Sequence, residues 1–396
     1  MMTPGPIVPE FEAAEYERRL ESAHRLMAER RLDALFVCTQ ANFRYFTGHV
    51  THRWLNNFTP LFTVIPRKGY PILLLPAIEV GMAQANPWIR DARPFFGYVN
   101  IAVPEITETL REMVPSGGTV GAELGSVMHM GIPYADFLAL QQALPGVRFA
   151  DASDLFWTLR VPKSAAELRY LREAVRITDQ AYRDTVAGIR VGMTERELYQ
   201  TMVRNLMAHG ADAPGSLPVG SRSPGDTLPW DISLRRPTDR RIQEGDLIFM
   251  DGGCVVHGYW SDFTRMFCLG KAVPEWRAAY RFVHEALREC IREVQPGQPI
   301  RNQIARYRTR LEKSPYAHLA AKLGRIGHGC GLELTEPPSI SFVDDTRLQP
   351  GTVLTVEPSI SVKEGFFMLE EDVVVTESGY EILSDPAAPE LPELGK

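Results

Sequence analysis

The sequence predicts two domains, an α/β domain followed by an α+β domain built on a curved antiparallel sheet. Three observations carry this reading. Helical and strand-like segments alternate through about the first 150 residues, the pattern of an α/β domain. From residue 246 onward strand-like runs dominate. Between the two regions, Leu159-Arg-Val-Pro-Lys-Ser marks a break: Pro162 disfavours helix just before it, and Ser164 with Glu167 forms a capping box that opens a new helix. The expected domains are therefore 1–160 and 161–396.

The elements follow in order. Residues 12–31 read as a charged helix with Tyr16, Leu20, Ala23 and Met27 on one stripe. Ala34-Leu-Phe-Val-Cys reads as a buried strand. Phe62-Thr-Val-Ile and Ile72-Leu-Leu-Leu read as a strand pair turned by Pro66-Arg-Lys-Gly, with helices at 104–114 and 133–143 and a strand at 147–149. In the second domain, Leu168, Leu171, Val175 and Thr178 stripe the first helix, and Thr194 with Glu197 makes another capping box. A helix at 274–294 starts at Pro274 and carries Trp276, Tyr280, Val283, Leu287 and Ile291. These stripes are core faces covering a sheet. The Pro- and Glu-rich tail from Pro386 is expected to be weakly ordered.

Composition narrows the function classes. The 396 residues are 44% hydrophobic and 23% charged, enough for two cores, and the net charge of −6 gives no sign of a nucleic-acid or anionic-membrane partner. No apolar run reaches transmembrane length, and Met-Met-Thr-Pro-Gly-Pro lacks a signal-peptide core. Five cysteines (38, 254, 268, 290, 330) are odd in number and lack paired or metal-knuckle spacing, which suits a reducing cytoplasm.

The chemistry concentrates in five acidic or imidazole positions. The apolar run Leu247 to Met250 delivers Asp251, Gly252 and Gly253 turn the chain, and a second strand-like segment carries Asp262. Read as a hairpin, this sets two carboxylates side by side, where they repel unless a cation or a shared proton compensates. Glycines frame His328 in Gly327-His-Gly-Cys-Gly. Val353-Leu-Thr-Val ends at Glu357, and Glu371 heads the run Glu371-Asp-Val-Val-Val-Thr. Four carboxylates and one imidazole form a hard, oxygen-rich set suited to one or two divalent ions such as Mn, Co, Fe or Zn. His257, in the same hairpin, is a candidate for the pocket, with a solvent-facing edge position as the alternative.

The motifs around Asp251, Gly258-Tyr259, Ser261 to Arg265, Gly327-His328-Gly329, Glu336-Pro337-Pro338, Val356-Glu357-Pro358 and Glu371-Asp372 resemble those of the creatinase/prolidase/methionine aminopeptidase superfamily, peptidase family M24. Asn42-Phe-Arg-Tyr-Phe-Thr-Gly48 resembles the signature of its creatinase-type N-terminal domain. The resemblance spans essentially the whole chain and implies a pita-bread catalytic domain. It implies two divalent metals, with Asp251 on one, Asp262 and Glu371 bridging, and His328 and Glu357 on the other. Hydroxide held between the metals would attack an amide carbonyl, with Glu357 moving the proton, and Glu336 would belong to the catalytic set. It also implies a homodimer in which residues 42–58, with His52, Arg53 and Trp54, approach the partner's site.

Two departures bear on the substrate. Family peptidases that cut beside proline carry a histidine seven positions after the metal-binding one; here Thr335 stands there and joins the candidate catalytic residues. They carry another about seventeen residues before the first aspartate, where this chain reads Ser233-Leu234-Arg235, near Trp230-Asp231. Each lost hydrogen bond to the transition state is worth about 3 kcal/mol in such roles. Three classes follow: an Xaa-Pro peptidase such as a prolidase or aminopeptidase P; a hydrolase or lyase for the C–N bond of a small amidine or guanidino acid; and a non-catalytic scaffold, disfavoured because the ligands are intact.

Overall fold

The computed structural model describes residues 9–55, 60–96, 102–226, 236–363 and 365–395. The positions of Trp230, Asp231, Arg235 and residues 56–58 lie outside them. The chain divides into two compact units, Met1–Arg160 and Val161–Lys396.

In the first unit, six strands form one mixed sheet: β1 (Ala34–Val37), β2 (Phe62–Pro66), β3 (Ile72–Pro76), β4 (Asp91–Phe95), β5 (Thr119–Ala122) and β6 (Arg148–Asp151), ordered β4-β3-β2-β1-β5-β6. β1, β2 and β3 pair antiparallel, while β4, β5 and β6 add in parallel. Helices α1 (Ala13–Arg30), α2 (Gln40–Thr47), α3 (Ala77–Gln84), α4 (Val103–Met113), α5 (Tyr134–Ala143) and α6 (Ser153–Arg160) connect or cover it. Tyr16, Leu20, Ala23 and Met27 are buried along α1. Phe36, Phe62 and Val64 pack with Ile106 and Leu110 of α4 and Phe137 and Leu140 of α5. The motif 42–48 becomes α2 and its stop. Gly48 ends the helix at φ 60, and a Cβ there would lie 2.1 Å from the Tyr16 hydroxyl, so only glycine fits. In the turn at His52–Leu55, Arg53 pairs with Glu79 and Trp54 packs edge-on against Phe43.

The second unit opens with α7 (Ala165–Ala187). The Ser164 hydroxyl accepts from Glu167 N at 3.2 Å, and the Glu167 carboxylate accepts from Ser164 N at 2.9 Å. Thr194 and Glu197 cap α8 (Glu195–Ala208) in the same reciprocal way. Short strands β7 (Ala213–Pro214) and β8 (Val219–Arg222) lead to β9 (Leu247–Gly252), β10 (Cys254–Val256), β11 (Tyr259–Trp260) and β12 (Phe263–Leu269). Helices α9 (Pro274–Arg292) and α10 (Arg301–Glu312) precede β13 (Arg325–Gly329), β14 (Glu336–Ser341), β15 (Val353–Val356), β16 (Ser359–Val362), β17 (Gly365–Met368), β18 (Glu371–Thr376), β19 (Gly379–Ile382) and β20 (Glu393–Leu394).

Two sheets position the site. One runs β20-β12-β9-β8 and the other β14-β13-β15-β18-β19. Leu247 and Phe249 join the core under α9, while Ile248 and Met250 join the core under α7 and α8. A strand buried on both faces reads as an unbroken apolar run, which is why Leu-Ile-Phe-Met shows no alternation. Among the described residues, no helix is long and apolar enough to cross a membrane.

The expectation of a weakly ordered tail is overturned. Glu393 and Leu394 pair in parallel with Cys268 and Leu269, Ala387 and Leu391 are buried, and Arg277 and Arg281 bind Glu393 and Glu390. The tail is rich in Pro and Glu, yet it finishes a sheet edge whose backbone donors need partners.

Candidate metal centre

The candidate centre forms where the two sheets place acidic strand ends together. β9 and β12 are antiparallel with Asp251 opposite Thr264 and Gly252 opposite Phe263. Asp251 thus sits one residue from the end of β9, and Asp262 immediately precedes β12. His328 lies on β13 opposite Thr355 of β15, which in turn lies opposite Asp372 of β18. Glu357 follows β15, its N–H bonded to Ile326 O at 3.0 Å.

Ligand-type atoms of Asp262, His328 and Glu370 lie within 4.8 Å of one another, and all three side chains are buried. The Thr264 hydroxyl stands 2.9 Å from Asp251 Oδ1 and 2.8 Å from Glu370 Oε2. His328 Nε2 stands 3.8 Å from both Asp262 Oδ2 and Glu357 Oε1. The structure therefore brings together Asp251, Asp262, His328 and Glu357, and adds Glu370.

Glu371 is the correction. It lies opposite Val356, whose side chain is in the core under α9, whereas Asp372 shares the face of Thr355 and His328. Side chains alternate along a strand, so Glu370 and Asp372 turn to the centre and Glu371 turns away. Its carboxylate instead accepts from Arg265 Nη2 at 2.8 Å, from the Ser384 hydroxyl and from Ala387 N at 2.7 Å. The sequence carried no signal for the choice, because Leu369-Glu-Glu-Asp offers a carboxylate in either register. Thr264 and Asp372 went unread for a similar reason: their role is to hold ligands. Asp372 Oδ2 accepts from Asp262 N at 3.0 Å.

Three other candidates fall outside the cluster. His257 occupies the turn between β10 and β11 at φ 48, its N–H bonded to Asp212 and its ring 4.3 Å from that of Tyr170 on α7. It is a turn residue packed on a helix, at the other end of β10 from Asp251. Glu336 is buried against Lys163, with Nζ to Oε2 at 3.1 Å, and also accepts from Glu333 N. Its charge is already compensated. Thr335 is exposed in the bend before β14.

Electrostatics describe a site built for cations. Burial first, and neighbouring carboxylates second, push Asp262 and Glu370 well above the usual carboxylate range. Burial raises Asp251 to about 6 and, with Asp251 beside it, Glu357 to about 7. Two like charges 4 Å apart repel by about 4 kcal/mol at an effective dielectric of 20, so four carboxylates cannot all ionise here without compensation. The Thr264 hydroxyl has one proton to give and two carboxylates to face. Asp372 Oδ1 is buried without a hydrogen-bond partner among the described residues. His328 Nδ1 donates to Gly329 O at 2.9 Å, which leaves the Nε2 lone pair directed to the centre, and burial lowers its pKa to about 4 so that it is neutral. Neutral imidazole plus crowded carboxylates is the donor set divalent cations require.

Comparison with known proteins points the same way. The model of metallopeptidase family M24 matches residues 169–377, and that of the creatinase/prolidase N-terminal domain matches residues 19–161. A Xaa-Pro dipeptidase of Pyrococcus furiosus is 26% identical over 366 residues, 92% of this chain and 96% of that protein. The crystal structure of a dipeptidase from Pyrococcus horikoshii superposes with a TM-score of 0.80 at 27% identity, covering 95% of this chain and 100% of that one. A recombinant prolidase from Thermococcus sibiricus shares the fold, with a TM-score of 0.83 at 24% identity over 96% of this chain and 99% of that one.

Proposed function

We propose, for a chain that belongs to metallopeptidase family M24 and is a metal-dependent hydrolase, that it cleaves the amide bond of Xaa-Pro peptides with two divalent ions held by Asp251, Asp262, His328, Glu357 and Glu370. The observation that carries the ligand set is the convergence of Asp262, His328 and Glu370 on one buried point beside Asp251 and Glu357. Bound there, the ions would supply Lewis-acid activation at neutral pH. The chain's own residues do the rest. Thr264 and Asp372 hold the carboxylates of Asp251 and Glu370 and the backbone of Asp262 in place. The Gly329 carbonyl fixes the His328 tautomer. Glu357 is placed to take a proton at its carboxylate and return it to the leaving nitrogen. Relatives named as Xaa-Pro dipeptidase and prolidase support the substrate class.

Manganese, cobalt, iron and zinc all suit this donor set. A homodimer with residues 42–58 near the partner's site, and a cytoplasmic setting consistent with five unpaired buried cysteines, complete the proposal. Elemental analysis and calorimetry on the wild type, His328→Ala and Asp262→Asn test the ligands, and unchanged metal content in both variants would sink them. Hydrolysis of Xaa-Pro dipeptides, longer Xaa-Pro peptides and cyclic amidines by the metal-loaded protein tests the substrate class. Full occupancy without cleavage of any Xaa-Pro peptide would transfer the assignment to a small C–N substrate. Light scattering settles the assembly, and a fully active monomer rules the dimer out.

A further inference from the structure

We propose that a cavity beside the start of α8 is a second ligand site, for a small organic anion whose carboxylate or phosphate is carried on an apolar body. Its occupancy is felt at Asp251 through a shared stretch of backbone. The site stands apart from the substrate reading above, and only its coupling rests on Asp251 as a ligand. The cavity encloses about 460 Å³, within the range of about 300–1,000 Å³ that small-molecule sites occupy. Arg196, Tyr199 and Gln200 line it from α8, residues 216–218 from the segment before β8, and Arg236 from the segment before β9.

Hydrogen bonds outside the lining side chains fix these walls. Thr238, two residues after Arg236, gives its N–H at 3.0 Å and its hydroxyl at 2.6 Å to Glu195 Oε2, and Arg196 N donates to Thr238 O at 3.0 Å. Among the described residues the lining holds two guanidinium groups and no carboxylate, in a chain whose net charge is −6. Arg196 meets the exposed Asp239 through Nε at 2.7 Å, a bond that leaves its two Nη groups out. No hydrogen bond or ion pair among the described residues engages Arg236. Two planar forks on one cavity suit a carboxylate or phosphate, which accepts a guanidinium in bidentate fashion. Leu217 and Tyr199, which pack with the core under α7 and α8, supply the apolar part.

The sheet separates this cavity from the metal cluster. Ile248 and Met250 of β9 turn to the core under α7 and α8, so Asp251 turns by alternation to the opposite face with Phe249. The two sites share backbone: Asp251 N donates to Pro218 O at 3.0 Å. Ser216 O packs on Gly252, at φ +130, so closely that a Cβ there would lie 1.7 Å away. A ligand held against residues 216–218 therefore fixes the backbone of Asp251 and tightens metal binding, and metal tightens the ligand by the same factor.

The test uses the metal-loaded full-length protein and three probes, phenyl phosphate, benzoate and benzyl alcohol. Calorimetry is expected to show one or both anions binding the wild type about tenfold or more tighter than the alcohol, and the tighter anion identifies the head group. Arg196→Gln and Arg236→Gln, at side chains whose exposure makes them minor for stability, should each weaken that anion about tenfold or more, and the double variant should abolish binding. No anion binding in the wild type, equal binding of the alcohol, or binding unchanged in the double variant overturns the site. The last result would put the anion on the metals instead. Metal titration of the chelator-stripped protein, with and without saturating anion, tests the coupling. The metal Kd is expected to fall about fivefold in the wild type and to stay unchanged in the double variant. A Kd that does not fall in the wild type overturns the coupling and leaves the site standing. None of these readouts needs peptide hydrolysis, so failure of the Xaa-Pro reading is a separate result.

Discussion

Glu370 and Glu371 are neighbours in sequence that the strand sends to opposite faces, so substituting each one separates metal binding from stability. Glu370→Gln is expected to lower bound metal and abolish hydrolysis with little change in fold. Glu371→Gln should retain metal but leave the Arg265 guanidinium, only 12% exposed, without its carboxylate. Removing one partner of a buried pair costs about 3 kcal/mol, visible as a lower Tm. Metal loss in Glu371→Gln and retention in Glu370→Gln would reverse the assignment. Thr335 belongs to this scale too. If the chain is a Xaa-Pro peptidase without its helper imidazoles, Thr335→His should raise kcat/KM on Xaa-Pro substrates about tenfold, which corresponds to about 1.4 kcal/mol of transition-state stabilisation. A loss of rate would mean that the pocket has been shaped around threonine.

At the scale of elements, most of the longer helices were legible because a capping box, a leading proline or an apolar stripe marks them, whereas α10, whose N-cap Ile300 makes no side-chain cap, was not read. The two capping boxes form, and the α9 positions Trp276, Tyr280, Val283, Leu287 and Ile291 are all buried. Leu287 is fully buried, so Leu287→Ala should cost about 2–5 kcal/mol in urea unfolding, the loss falling on the core that supports β15 and β18. Helices α2, α3 and α6 and strands β4 and β5 were not read. Each is eight residues or fewer, too short for a period to show, and each exists because the sheet of the first unit packs against it or pairs with it. In the second unit the strands that carry Asp251, Asp262, Glu357 and Glu371 or lead to them were read as strands but not in register, and β7, β8 and β20 were not read. Which carboxylate faces the centre depends on pairing with a segment elsewhere in the chain.

At the scale of the whole molecule, metal and fold are linked. Ions that bind only the folded cluster should raise Tm with concentration, stabilising the fold by about 2.7 kcal/mol at one hundred times Kd. Chelation should return the protein to its unliganded Tm, and a Tm indifferent to both would argue against the centre. Asp179, which is not among the candidate ligands, supplies a pH test. Burial raises it to about 6 from 3.8, so the folded state holds its proton more tightly than the unfolded chain. Its ionisation therefore removes stability as pH rises from about 4 to about 6. Asp179→Asn, which keeps an acceptor for Asp385 N, should match the wild type near pH 4 and exceed it by about 1 kcal/mol at pH 7, allowing for solvent screening. Equal stability at both pH values would show that the group is not strained. The sequence by itself determined the class of both domains, the buried helix faces and four of the five residues that meet at the centre, because periodicity, caps and glycine-framed polar residues are local signals. Only the tertiary structure decided that Glu370 and not Glu371 turns inward, that His257 and Glu336 are engaged elsewhere and that the Pro- and Glu-rich tail completes a sheet. Those outcomes depend on register and partner choice between distant segments, which no local pattern encodes.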